Sequence, residues 1–437
     1  MEKVLVIGAA RSGIAAAILL AHHNFEVYLT DLAIIEQKKE LRDLKIVIYD
    51  QSHPDLLKDI DWKFIVKNPG IKTDVPFVKF FSDKKIPIYN EIEIACKYGD
   101  FKIAAITGTN GKTTITTLLA ELLKRKYPNS YAVGNIGRPI ADLINNDITS
   151  GFLALEIAAF QLLGCPSFKP KVATITNLTP DHLDYFTNVE DYYQAKKLIY
   201  QNMDDTDSFI LNLDELNVVK YCDNINAKVY TLSQKQVADI FIQDNSVYLQ
   251  KTKLFNLEDL RLVGDHNVSN AMSAAAMAYL MGVSSSDIGE GIRDFKGIEH
   301  RIEFVRTLNG VKYYNDSKAT NVESTIVGLK SFIQNEVILL VGGYDKGLSF
   351  SDLKPYLSHV KTIISYGDTK NKFKDLHECV VMVNDLETAI KESLKISQKG
   401  DIVLLSPACA SYDQFNSYEE RGKLFKEIVL KIKEPLN

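Results

Sequence analysis

Residues 103–119 read "IAAITGTNGKTTITTLL". An apolar run stops at Thr107, glycines follow at 108 and 111, and Lys112-Thr113-Thr114 opens a second apolar run with helical spacing. A strand that feeds a helix through so short a turn needs a parallel sheet, so this stretch places the chain among α/β folds. Gly108 and Gly111 let the backbone N–H groups of residues 108–111, Thr109 and Asn110 included, converge on a phosphate. The helix start with Thr114 adds its dipole, Lys112 adds a point charge, and the Thr113 hydroxyl suits Mg²⁺. The spacing departs from GxxxxGK[ST], because Ile106 stands five residues before Gly111. A glycine turn that only caps a helix is the plainer alternative. The order of strand, glycines, Lys-Thr and helix argues for the phosphate loop.

Short apolar strands alternate with helical patterns over most of the 437 residues. Three blocks emerge. Residues 1–92 hold five strand candidates, "VLVIG", "EVYLTD", "KIVIYD", "WKFIVKNPG" and "IPIYN". Residues 93–297 hold the phosphate loop, the strands "FLALE" and "KVATITN", and short pieces over 227–263 that read as antiparallel strands. Residues 298–437 hold "VKYYND", "VILLVGG", "TIISYG", "VVMV" and "DIVLLSP".

A net charge of −5 without a long basic run argues against nucleic acid as a partner, so anionic ligands must be met by local lysines, arginines and helix ends. The five cysteines, Cys96, Cys165, Cys222, Cys379 and Cys409, form no CxxC pair, as in reduced intracellular proteins. No secretory signal and no run of about 18 apolar residues is present. A cytoplasmic protein with no membrane partner is expected.

Further candidates cluster near the phosphate loop. "GFLALE" ends at Glu156, a carboxylate where a magnesium partner belongs. "ATITN" leads to His182, flanked by Asp181 and Asp184. Strands ending at Thr107, Glu156 and Asn177 in one parallel sheet bring Lys112, Glu156 and His182 to one edge. Lone histidines are usually structural, and the Lys196-Lys197 pair in "YYQAKKLIY" reads first as a solvated helix face. The opening "VLVIGAARSGIAAAILL" with Asp31 outlines a dinucleotide fold, but Ala10 stands where the fingerprint wants its second glycine, between Gly8 and Gly13. A nicotinamide oxidoreductase is therefore a strained alternative.

At this point "TGTNGKTT", "GNIG" at 134–137, "TNLTPDHLDY", "YYQAKKLIY", "GDHNVSNAMSAAA", "EHRIE", "NDSKATN" and "SPACASYDQF" resemble, in order, the Mur ligases of peptidoglycan synthesis. The last two resemble the D-glutamate-adding branch. The resemblance implies an N-terminal Rossmann-like domain (1–92) for the UDP end of the substrate and a central P-loop-type ATPase with a mainly parallel sheet (93–297). It also implies a C-terminal Rossmann-like domain (298–437) for the incoming amino acid. The implied activity is an ATP-dependent amide ligation through an acyl phosphate, catalysed by Lys112, Glu156, His182 and Lys196. ATP and two Mg²⁺ ions, with Mn²⁺ as a substitute, are the implied cofactors. Thr113 and Glu156 fall to the first ion, and His182 with a carbamoylated Lys196 to the second, Lys197 being the register alternative.

The resemblance further assigns Asn270, Arg301 and Asp316 to the nucleotide. It assigns Arg11, Ser12, Gly13, Asp31, Gly70, Asn135, Gln161 and His182 to the UDP-substrate, and Lys318, Thr320, Lys346, Ser411 and Tyr418 to D-glutamate. Two departures stand out. Ala158-Ala159 replace the family's two serines, and Tyr418 replaces its phenylalanine. Another amide ligase of this fold, or a non-catalytic nucleotide-binding relative, are the alternatives. A monomer acting on small molecules is expected.

Overall fold

The computed structural model describes residues 1–36, 39–183, 185–347 and 349–432, so Asp184 lies outside the described residues. These form three sheets and two compact units. One unit is Met1–Leu260 with Ser269–Arg293; the other is Arg261–Val268 with Asp294–Asn437.

The first unit opens with a five-stranded parallel sheet of Lys3–Ile7, Glu26–Thr30, Val47–Tyr49, Phe64–Lys67 and Ile88–Tyr89. Its order is third-second-first-fourth-fifth. The continuous apolar run "VLVI" at 4–7 has a physical reason: Val4 and Val6 enter one core cluster while Leu5 and Ile7 enter another, on the opposite face. Each fully buried side chain of this kind contributes about 1.5–3 kcal/mol. The strand order reverses between the first and fourth strands, which opens a crevice beyond their C-terminal ends.

The second sheet has nine strands among the described residues, with Asp100–Thr107 between Ser150–Glu156 and Val172–Ile175. Ile106 pairs with both Glu156 and Thr174, so the phosphate loop and Glu156 leave the sheet at one level. The strand Ser130–Gly134, without a strong sequence signature, sits beside Ser150–Glu156 and delivers the "GNIG" turn.

Two local expectations change. The strand expected to end at Asn177 ends at Ile175, because Thr176 and Asn177 turn aside to bond the phosphate loop. Lys228–Leu232 is parallel, not antiparallel, because the helix Leu216–Tyr221 carries the chain back before it pairs with Ser208–Asn212. The antiparallel part starts at Ile240–Gln243 and turns at Asp244-Asn245, φ 47° and 56°, the left-handed pair of a tight hairpin.

The first two sheets share a unit because their helices share a core: Leu19, Ile94 and Leu143 belong to one cluster, with Leu155 of the strand Ser150–Glu156. The helix Glu91–Tyr98 runs across the 92/93 position and buries Ile92, Ile94 and Ala95. In the second unit, a six-stranded sheet runs parallel except for Glu303–Leu308 against Val311–Asn315. Its central strand Val337–Gly342 is buried on both faces, Leu339 into one cluster and Leu340 into the other. No helix among the described residues is long and apolar enough to cross a membrane.

Candidate active site

The phosphate loop is held open by two glycines and a frame of hydrogen bonds. Gly108 has φ 141°, and a Cβ there would lie 1.8 Å from Thr176 Oγ1. Gly111 has φ 84°, and a Cβ there would lie 2.5 Å from Asn270 Oδ1. The structure thus brings Asn270 against the loop. Asn110 N donates to Asn177 Oδ1 (2.8 Å), Thr109 N to Asn177 O (3.0 Å) and Thr109 Oγ1 to Thr179 O (3.0 Å). Lys112 starts the helix Lys112–Lys124, with Thr113 and Thr114 in its first turn. Its Nζ arcs back to Gly108 O (3.0 Å) and Thr109 O (2.9 Å).

Lys196 meets the same oxygen. Its Nζ donates to Gly108 O at 2.7 Å and lies 4.4 Å from the centroid of the Tyr192 ring. The side-chain amide of Asn188 caps the helix Val189–Lys197 through Asp191 N (2.8 Å), which fixes the register. Lys196 then points inward, 1% exposed, and Lys197 points out to Asp223. The solvated-face reading therefore fails for Lys196. Its amine is held well below the usual lysine range, first by burial and then by the charge of Lys112; Asp181 and Glu156 act in the opposite sense.

Glu156 is 2% exposed. Its Oε1 accepts from Asn135 Nδ2 (2.8 Å), and its Oε2 is buried without a hydrogen-bond partner among the described residues. A buried carboxylate oxygen left open is costly unless something cationic meets it. That open oxygen fits a divalent cation held by hard oxygen donors. No three His, Cys, Asp or Glu side chains converge among the described residues. The donors that the sequence offers are of mixed kind: the Thr113 hydroxyl, the Glu156 carboxylate, the His182 imidazole and Lys196. His182 sits on an exposed turn with φ 52°, its ring near Phe160 and Tyr192 at 5.6 and 5.9 Å.

The crevice of the first sheet is built from interlocking turns. A Cβ on Gly13 would lie 1.8 Å from Gly8 O, so this glycine serves close packing of the helix Arg11–His22 on the turn before it. Both Asp31 oxygens accept backbone N–H groups, from Ala9 (2.6 Å) and Ala33 (2.8 Å). Asn68 joins Ser12 Oγ (3.3 Å) to Gly70 N (3.0 Å). Arg11 donates to Gly137 O in the "GNIG" turn. Gln161 turns back on its own helix, its Oε1 accepting from Ala158 N (2.8 Å). Ile71 O accepts from both Lys67 Nζ and Tyr185 OH (3.3 Å), and Tyr185 N donates to His182 O (2.9 Å).

The second unit gathers its own set. Lys318 Nζ lies 5.8 Å from the centroid of the Tyr418 ring. Thr320 N donates to Lys318 O (2.9 Å). Asp316 is buried against Ser406 Oγ (2.7 Å), and burial pushes its carboxyl up to about 7 despite the opposing Arg301 charge. Lys346 is exposed on a turn that Tyr344 N ties to Ala410 O (2.9 Å). Ser411 is 2% exposed, beside that same residue. One residue that the sequence did not single out orders this set. Arg421 is 0% exposed and donates to Ser317 Oγ (3.0 Å), Ser317 O (2.8 Å), Cys409 O (3.0 Å) and Ala410 O (3.3 Å). It binds the turn before Lys318 to the turn before Ser411.

The chain matches the Mur ligase middle domain over residues 106–278 and the Mur ligase glutamate ligase domain over residues 300–409. It is 38% identical to the UDP-N-acetylmuramoylalanine–D-glutamate ligase of Lactococcus lactis subsp. cremoris (strain MG1363), covering 98% of this chain and 97% of that relative. It is likewise 38% identical to the enzyme of that name from Clostridioides difficile, covering 99% of each. Among solved structures, UDP-N-acetylmuramate–alanine ligase from Thermotoga maritima shares the fold at 19% identity and TM-score 0.57, over 99% of this chain and all of that one. The chain belongs to the Mur ligases, among the UDP-N-acetylmuramoylalanine–D-glutamate ligases.

Proposed function

We infer that the protein is an ATP-dependent carboxylate–amine ligase that adds D-glutamate to UDP-N-acetylmuramoyl-L-alanine in peptidoglycan precursor synthesis. The observation that carries this reading is the shared oxygen of Gly108, on which the nitrogens of Lys112 and Lys196 both close. Two ammonium groups cannot sit there cheaply. A neutral Lys196 amine can add CO₂ and lose a proton, which turns a repelled cation into an anionic oxygen donor.

The alanyl carboxylate of the UDP-substrate attacks the γ-phosphorus of ATP, giving an acyl phosphate and ADP. The D-glutamate amine then attacks the acyl carbon, and phosphate leaves as the amide forms. The first step brings a carboxylate to a polyanion. One pair of unit charges at 4 Å repels by about 4 kcal/mol at an effective dielectric of 20, about a thousandfold in rate. Lys112 offsets this with its charge, and the loop N–H groups and the helix start hold the phosphates. When bound, Mg²⁺ (Mn²⁺ as a substitute) neutralises phosphate charge; Thr113 and Glu156 would hold one ion, and His182 with carbamoylated Lys196 a second. Asn270, Arg301 and Asp316 serve the nucleotide.

The turns with Arg11, Ser12, Gly13, Asp31 and Gly70 hold the UDP end, and Asn135 and Gln161 the muramoyl part. Lys318, Thr320, Lys346, Ser411 and Tyr418 form the D-glutamate site, where lysine charges and hydroxyls suit a dicarboxylate. The domain boundaries 1–92, 93–297 and 298–437, a cytoplasmic location and a monomer complete the reading.

Phosphate release from ATP with UDP-N-acetylmuramoyl-L-alanine should require D-glutamate. Release only with a diamino acid would sink the acceptor assignment. No release with any acceptor would favour a non-catalytic relative, which Ala158-Ala159 make worth testing. Within the acceptor site, Arg421→Met should raise the KM for D-glutamate at least tenfold while changing that for ATP little. It should also cost about 3 kcal/mol of stability, from lost charge-assisted bonds. An unchanged KM with lowered stability would make Arg421 purely structural.

A further inference from the structure

Lys67 takes no part in the chemistry above, yet it is a buried cation. It ends the strand Phe64–Lys67, is 6% exposed, and donates to Asn68 O (3.2 Å) and Ile71 O. Among the described residues it forms no ion pair, and burial alone lowers its amine to about 8. Buried lysines are normally paired with an anion. Lys67 instead lines a cavity of about 240 Å³, walled by Ile86, Ile88, Tyr89, Phe160 and Leu163. Leu163 is 45% exposed, so the cavity wall reaches solvent. A cavity of roughly 150 Å³ admits a benzene ring. This one has room for a ring or branched chain that also carries a charged head.

We infer that the cavity is a binding site for a small amphipathic monocarboxylate, its head on the Lys67 ammonium and its apolar part among the wall residues. An anion there competes with Asn68 O and Ile71 O for the ammonium. These two carbonyls bracket Gly70, so an occupant loosens the 68–71 turn. That consequence rests on the proposed role of Gly70 in holding the UDP-substrate; binding in the cavity does not.

Phenylacetate is a suitable probe, titrated calorimetrically into the full chain without nucleotide. Saturable one-to-one binding is expected, at least tenfold weaker for the Lys67→Met variant and for neutral 2-phenylethanol. Leu163→Trp, placed at an exposed wall position, should block the cavity and also weaken binding tenfold. It keeps the test informative where Lys67→Met fails to fold. No saturable binding to the unaltered protein, or equal binding by the alcohol or by Leu163→Trp, overturns the site. In kinetics, phenylacetate should raise the KM for UDP-N-acetylmuramoyl-L-alanine to a plateau with kcat unchanged. A rise without a plateau would mean that the diphosphate of the substrate is the anion of Lys67, and would also overturn the proposal. Failure of the UDP-substrate to bind at all would sink the proposed function, while the phenylacetate titration still decides the cavity.

Discussion

Lys196→Ala should lower D-glutamate-dependent phosphate release by about a thousandfold or more, the scale set by one unscreened charge pair at the reacting phosphate. On the carbamate proposal the variant loses an anionic donor, so short carboxylates such as formate or acetate should restore part of the activity by entering the vacated space. Rescue separates the charge role from a packing defect, because a carboxylate does nothing for a merely loosened core. Stripping bicarbonate from the buffer should slow the unaltered enzyme and leave the rescued variant untouched. Wild-type activity in the variant, or an enzyme indifferent to bicarbonate, would remove the carbamate from the mechanism.

Lys112→Met keeps the stem and deletes the charge. Phosphate release should fall by at least about 10²–10³, the loss when one preorganised donor at a developing negative charge is removed. A second effect follows from the shared carbonyl. Lys112 helps to hold the Lys196 amine low, so its removal raises that amine and leaves less of it neutral. The residual activity should therefore need more bicarbonate for half-saturation than the unaltered enzyme. If half-saturation does not move, the two lysines act independently.

What the sequence made legible was whatever is written in local order. Gly108, Gly111, Lys112 and the apolar runs around them specify strand, loop and helix without help from elsewhere. The expectation that strands ending at Thr107 and Glu156 share one parallel sheet is met, with Ile106 paired to Glu156. Lys196 was different. Its neighbour Lys197 has the same chemistry, and only the Asn188 cap together with the buried face of Tyr192 and Ala195 decides which amine turns inward. Lys67 and Arg421 were missed for a related reason. A lysine at a strand end and an arginine in the first turn of a helix normally reach water; the spacing of Arg421 with Phe425 and Val429, which share its buried face, was the one local signal that the chain closes over it. The parallel course of Lys228–Leu232 was missed because strand direction is set by the path of the preceding crossover, not by strand composition.

The carbonyl of Ile71 has a consequence of its own. It takes hydrogen bonds from Lys67, beneath the turn of Gly70, and from Tyr185, on the segment that follows His182. One oxygen thus ties the turn of Gly70 to the turn of His182. On the proposed function these turns meet the UDP-substrate and a metal ion, and a ligand that moves this oxygen at one turn would act on the other. Thermodynamic reciprocity then demands the same factor in reverse: if the UDP-substrate sharpens the affinity for metal near His182 threefold, metal must sharpen the affinity for the UDP-substrate threefold. On that reading the coupling would run through the Tyr185 hydroxyl, which donates to Ile71 O.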